Sequence, residues 1–298
     1  MRHASTLIQV ALVSFALVAC GKSVGKPPAA PAANLIHPVI YVPADLDLVL
    51  RLDVRRYRET MGPDAELSLE KLWEGFGPNP TESTKTKRSL VSLLKSTDTL
   101  WLGCRLSSKG CSDFVVVVRG RFSSLHESYG LGPDKNKRDL GAGWLSFDLE
   151  STERSSAARI YWRPPELAIL VSLAEIDSTE RSVEQSQDST RLEPAESGLM
   201  SLVARSKGLA LVLRERSPKA AEWLDQSERI EIRFEPSTSG TVATFTVAFR
   251  DAALAQRSAQ AIRILVMALS GFDPRVKAGD IDVQQLNNDV VVRVSLKS

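Results

Sequence analysis

Apolar and polar residues alternate at period two along much of this chain, which commits it to strands with one buried face and so to a sheet-rich fold. The pattern is plainest in two neighbouring strands: Ile230, Ile232 and Phe234 oppose Glu231, Arg233 and Glu235, and Phe245, Val247 and Phe249 oppose Thr244 and Thr246. A comparable pair covers 99–106 and 114–119, and further strands are expected at 143–149, 158–163, 167–173, 281–286 and 290–296. Turn residues separate them, notably Pro164-Pro165-Glu166 and Asn287-Asn288-Asp289. Helical spacing appears in short stretches at 54–61, 123–129 and 218–226, in an amphipathic run from Lys85 carrying Leu90, Val91, Leu93 and Leu94, and in one long stretch at 251–269. In the long one Asp251 is placed to cap, Leu254, Ile262, Leu265 and Leu269 form a stripe, and Gly271 and Pro274 end it.

An internal repeat organises these elements. Leu46-Asp47-Leu48-Val49-Leu50-Arg51-Leu52-Asp53 agrees with Leu209-Ala210-Leu211-Val212-Leu213-Arg214-Glu215-Arg216 at five of eight positions, and a short polar helix follows each. The matched run is expected to be the opening strand of each half, and after its short helix each half runs strand, strand, helix, strands. That order is the split βαβ plan, so the expected fold is α+β, two tandem ferredoxin-like halves with antiparallel sheets. Residues 38–177 make the first half and 207–298 the second, and the acidic segment 178–206 is expected to be a helical connection.

The N-terminus is of another kind. Met1-Arg2-His3 precedes about a dozen apolar residues from Leu7 to Val18, enough for a signal-peptide core and short of the ~20 needed to span a bilayer. It ends in Leu17-Val18-Ala19-Cys20-Gly21 and resembles the lipobox of bacterial lipoproteins. The resemblance implies cleavage of residues 1–19, attachment of a diacylglyceryl group to the Cys20 thiol and acylation of the new amino group. Two or three acyl chains, at about 0.8 kcal/mol per buried methylene, anchor a protein without a spanning helix. Residues 20–37 are small and proline-rich, a tether reaching roughly 30 to 40 Å where extended. Gly21 is not the aspartate that marks inner-membrane retention in enterobacteria, so the outer membrane, facing the periplasm, is the expected location.

The formal charge is +2, with both signs interspersed, which argues against a nucleic-acid partner. Assigning Cys20 to lipid leaves Cys104 and Cys111 as an even pair in an oxidising compartment. A turn at Ser107 and Ser108 brings them to nearly opposite positions, within disulfide reach. Two unpaired thiols, or a metal site, are the alternatives; a metal site needs two further ligands, and beyond the signal only His37 and His126 are histidines. No metal or cofactor is therefore expected.

Val42-Pro43-Ala44-Asp45, running into Leu48-Val49-Leu50-Arg51-Leu52-Asp53, resembles over about fifteen residues the opening of exported bacterial envelope proteins of unknown function that begin Leu-Pro-Ala-Asp. It implies an exported α+β protein and carries over no catalytic residue. Other motifs read as surface or scaffold. Gly21-Lys22-Ser23-Val24-Gly25 matches a hydrolase nucleophile elbow in letters but lies in the tether. Asp45, Asp47 and Asp53 with Arg51 read as a solvated charged face, and Lys85-Thr86-Lys87-Arg88 with Lys95 as the wet side of a helix. Trp73, Phe76, Trp101, Trp144 and Trp162 read as core or rim.

The resulting expectation is a lipid-anchored envelope protein with a non-catalytic binding or assembly role, its partners the membrane and an envelope protein or cell-wall polymer. Two alternatives are a periplasmic carrier holding an apolar ligand against Ile262 through Leu269, and an envelope hydrolase with a serine or carboxylate beside His37 or His126.

Overall fold

The structure, a computed structural model, describes residues 37–62, 65, 69, 95–108, 110–122, 137–148, 157–184, 191–215, 217–237, 240–270 and 280–297. Twelve strands among them form one sheet: β1 (Leu48–Asp53), β2 (Thr97–Ser107), β3 (Gly110–Gly120), β4 (Lys137–Gly141), β5 (Trp144–Asp148), β6 (Ala157–Arg163), β7 (Leu167–Ser172), β8 (Met200–Arg205), β9 (Ser227–Ser237), β10 (Gly240–Phe249), β11 (Ile281–Leu286) and β12 (Asp289–Lys297). The helices are α1 (Val54–Met61), α2 (Ile176–Glu184), α3 (Ser206–Leu213), α4 (Pro218–Asp225) and α5 (Ala252–Ser270), with 3-10 turns at Pro38–Tyr41 and Leu173–Glu175.

This architecture corrects the expectation of two ferredoxin-like halves. The strand order is β11-β12-β10-β9-β8-β1-β2-β3-β7-β6-β5-β4 and every ladder is antiparallel. A split βαβ unit needs its helix to carry the chain across to a parallel strand. Here α1 is followed by β2, which lies directly beside β1 and runs against it. The two halves are fused rather than separate, because β1 and β8 pair from Leu48↔Ala204 to Leu52↔Met200 at the centre of the sheet. Outward from that seam the order β1-β2-β3-β7-β6 on one side mirrors β8-β9-β10-β12-β11 on the other.

The strand expected at 209–213 is helix α3, and the strand that opens the second half is β8, just before it. Leu209-Ala210-Leu211-Val212-Leu213 has one β-branched residue among good helix formers, so an apolar run of this length does not by itself choose between helix and strand. Ala210 packs with Ala221 and Leu224 of α4, a short helical pair closed on its own small core. The expected connection 178–206 accordingly begins within α2, takes in the central strand β8 and ends on the first residue of α3.

Both faces of the seam are covered. On the first face Leu48, Leu50 and Leu52 of β1 join Leu100 and Leu102 of β2, Met200 and Ala204 of β8, and Phe234 of β9 beneath Val54 and Tyr57 of α1, Val212 of α3 and Ala255 and Ala259 of α5. On the second face Val49, Trp101, Val115, Val117, Ile169, Val171 and Val203 lie beneath Val39, Tyr41, Val42 and Leu46. The segment from Val42 to Leu46 lies so close to β2 that a β-carbon at Gly103 would collide with Leu46 and stand 2.8 Å from Val42. This two-sided cover explains why all five residues from Leu48 to Leu52 are buried, Arg51 included.

Other expected strands and helices are found among the described residues. The Asp251 carboxylate accepts from the Leu254 N–H at 2.8 Å, capping α5, and Leu254 and Ile262 pack half-buried on the core. The expected helix 123–129 and the stop at Gly271 and Pro274 lie outside the described residues, as do the side chains of Leu265 and Leu269.

Candidate functional site

The second face carries most of the ionic chemistry of the first half, in three clusters, each fastening a peripheral segment to the sheet. In the first, His37 stands at the head of the 3-10 turn Pro38–Tyr41. Its Nδ1 accepts from the Val39 N–H at 3.4 Å, so Nε2 carries the proton and donates to Glu196 Oε1 at 2.9 Å. The ring meets Trp101 edge-on, with centroids 5.6 Å apart. Trp101 and Ser201 lie opposite Arg51 on the flanking strands. The Arg51 guanidinium donates to the Gly198 carbonyl at 3.5 Å and lies 3.8 Å from Asp53. Burial lowers the Arg51 pKa, with Asp53 and Glu196 opposing. Together these side chains tie the start of the described chain to the 191–199 segment.

In the second cluster Glu175, 1 % exposed, receives Arg105 Nε at 2.7 Å, Arg105 Nη2 at 3.4 Å and the Ser178 hydroxyl at 2.6 Å. Arg105 also donates to Asp45 at 2.9 Å. Its pKa is raised, chiefly by the Glu175 hydrogen bond. In the third, Arg159 bridges Asp148 at 2.6 Å and Glu180 at 2.7 Å, and the buried Tyr161 hydroxyl donates to Glu180 at 2.9 Å. Glu180 thereby pins α2 across β6.

The acidic trio read from the sequence is dispersed. Asp45 pairs with Arg105, Asp47 accepts the Leu106 N–H at 2.9 Å, and Asp53 caps α1 by accepting the Arg56 N–H at 2.9 Å. No group of three metal-ligating side chains occurs among the described residues. The hydrolase alternative asked for a serine or carboxylate beside His37, and Glu196 is there. Yet both imidazole nitrogens are engaged, and the buried Ser201 hydroxyl donates to the Ala195 carbonyl at 2.6 Å. That geometry holds a turn in place. Trp101, Trp144 and Trp162 are core residues, while Cys20, Ser23, Trp73, Phe76, Lys85, Lys87, Arg88 and His126 lie outside the described residues.

The cysteine pair forms its disulfide, with Cα atoms 5.6 Å apart. Ser107 pairs with Gly110, so the turn tip is one residue later than expected, and the bridge runs diagonally: Cys104 faces Phe114 and Cys111 faces Leu106. What sequence reasoning missed is the covered second face. Arg51 and Glu175 look like surface residues in a local window, and only the packing of remote segments buries them.

A pH dependence follows from His37. Desolvation lowers its pKa from the ordinary 6.5; Glu196 and Glu193 act in the opposite sense, and Arg51 and Arg119 reinforce the lowering. Below 6.5 the unfolded chain takes up a proton that the folded chain resists, so this contribution to stability is whole above 6.5 and is lost as pH falls toward the lowered value. Melting temperatures taken from about pH 8 to about pH 5 should fall less steeply for His37→Asn, which keeps a capping side chain without the titration. Parallel curves for the two proteins would contradict this.

Beyond β8 the second face changes character. It presents Arg229, Glu231 and Arg233 on β9, Thr244 and Thr246 on β10 and Arg293 on β12, none of them buried. Fold and clusters together define a single-sheet antiparallel protein whose clustered ionisable side chains serve as fasteners. Solved structures of TP0453 share this fold. Crystal form I superimposes with a TM-score of 0.52 at 9 % identity over 89 % of this chain and 95 % of that one. Form IV gives 0.52 at 11 % over 88 % and 94 %, and form III 0.51 at 9 % over 88 % and 95 %. No protein family and no curated protein sequence matches the chain.

Proposed function

We propose that this chain is a lipid-anchored protein of the cell envelope, held on the periplasmic side of the outer membrane through Cys20, with a binding or assembly role rather than a catalytic one. The observation that carries the compartment is the disulfide between Cys104 and Cys111, since structural disulfides persist where the surroundings are oxidising. The lipobox-like run ending at Cys20 directs a chain to such a compartment. No helix among the described residues is long and apolar enough to cross a membrane. A non-catalytic role is supported by the clusters above, in which the buried ionisable groups satisfy one another and none is left aimed at a shared point.

Attachment is tested by growing cells on a clickable palmitate analogue. The wild-type protein should be labelled and sediment with outer membranes, and Cys20→Ala should lose the label and leave the membrane fraction. Labelling unchanged by Cys20→Ala would overturn the assignment.

A further inference from the structure

The two ends of the sheet are protected very differently. At one end β4 reads Lys137-Arg138-Asp139-Leu140-Gly141, every residue exposed, and its ladder with β5 slips between Asp139 and Gly141. Charge, shortness and a break in register are the means by which edge strands are kept from pairing with other chains. At the other end β11, six residues to the five of β4, has no break in register and a single charge. Its six residues pair with β12 without a shift, from Ile281↔Val294 to Leu286↔Asp289, and Asp282 is the one charged residue. It carries no lysine and no proline, Val283 is buried, and Leu286 is 52 % exposed. A tight turn at Asn287, φ 57°, returns the chain directly to β12 and leaves the strand's outer edge as the border of the sheet among the described residues.

The side chains of β11 also suit one particular partner. Directly opposed residues in an antiparallel pair lie on the same face of the sheet. If a second β11 is laid against the first about a two-fold axis at Val283, residues 281 and 285 face each other, as do 282 and 284. Asp282 of each copy then meets Gln284 of the other. These two are already a matched donor and acceptor, for within one chain the Gln284 amide donates to the Asp282 carboxylate at 2.6 Å. The axis repeats that match twice across the junction and sets no like charges opposite one another. Val283 meets Val283 on the first face, beside the core.

We propose that two copies of the chain associate through β11, antiparallel about a two-fold axis at Val283, so that two twelve-stranded sheets become one. The contact is a short strand pair and belongs to the weak, concentration-dependent class of interfaces. It is independent of the lipid anchor.

Sedimentation equilibrium on the full chain in density-matched detergent tests it. The wild type should show a reversible monomer–dimer equilibrium. Asp282 and Gln284 are exposed, so substitution there leaves the fold intact, which melting curves check. Gln284→Glu sets two like-charge pairs across the axis and should weaken the dimer about tenfold. Asp282→Lys combined with Gln284→Glu replaces them with two opposite-charge pairs and should restore it. A wild type that stays monomeric at every concentration overturns the proposal. So does a dimer indifferent to Gln284→Glu, or a doubly substituted chain that melts like the wild type yet does not dimerise.

Discussion

Arg105→Met is expected to destabilise the protein by about 3 kcal/mol, because it leaves the Glu175 carboxylate buried without a cation. Glu175 sits at the end of the 3-10 turn Leu173–Glu175, where β7 hands over to α2, and Arg105 holds it from β2 through two nitrogens. The Ser178 hydroxyl that remains satisfies one oxygen and cannot neutralise the charge. Adding Glu175→Gln to Arg105→Met removes the charge itself and should recover more than half of the loss. Urea denaturation of the three proteins gives the comparison directly. A loss below about 1 kcal/mol for the single variant, or no recovery in the double one, would mean that water reaches Glu175 despite its burial.

Reducing the Cys104–Cys111 bridge comes next in size. The cysteines are seven residues apart in sequence, and closing so short a loop stabilises by roughly 2.5 kcal/mol in the chain-entropy picture. Cys104 is fully buried in the main core and Cys111 packs against it, so reduction loosens the outer end of β2 and β3. Unfolding curves with and without dithiothreitol should differ by about that amount, with hydrogen exchange rising first at 105–112. Coincident curves would show that the ladder between β2 and β3 already fixes the hairpin unaided.

The β2–β3 hairpin, its cysteine pair, the β9–β10 alternation, the β11–β12 turn and the cap of α5 could all be read from the sequence, since each depends on residues within about a dozen positions of one another. The seam between β1 and β8 could not. It pairs Leu50 with Leu202, and no local pattern reports a partner that distant. The same limit explains the misreading of Leu209–Leu213, where two adjacent apolar runs competed for the strand position. Met200-Ser201-Leu202-Val203-Ala204-Arg205 holds it in the fold, and Gly208 of α3 lies over Asp47, where a β-carbon would stand 2.8 Å from the aspartate side chain. Arg51 was misread for a related reason: the segments that cover it come from residues 37–46 and 191–199, one near in sequence and one remote.

The seam also sets a timetable for synthesis. Strand β1 has apolar residues on both faces and needs a neighbour on each edge; β2 supplies one within some fifty residues, but the other arrives only when Arg205 has been made. Until then the nascent chain carries an open, apolar central edge, so contact order and not local propensity governs how quickly it becomes safe from aggregation. A fragment ending before Met200 retains that edge permanently.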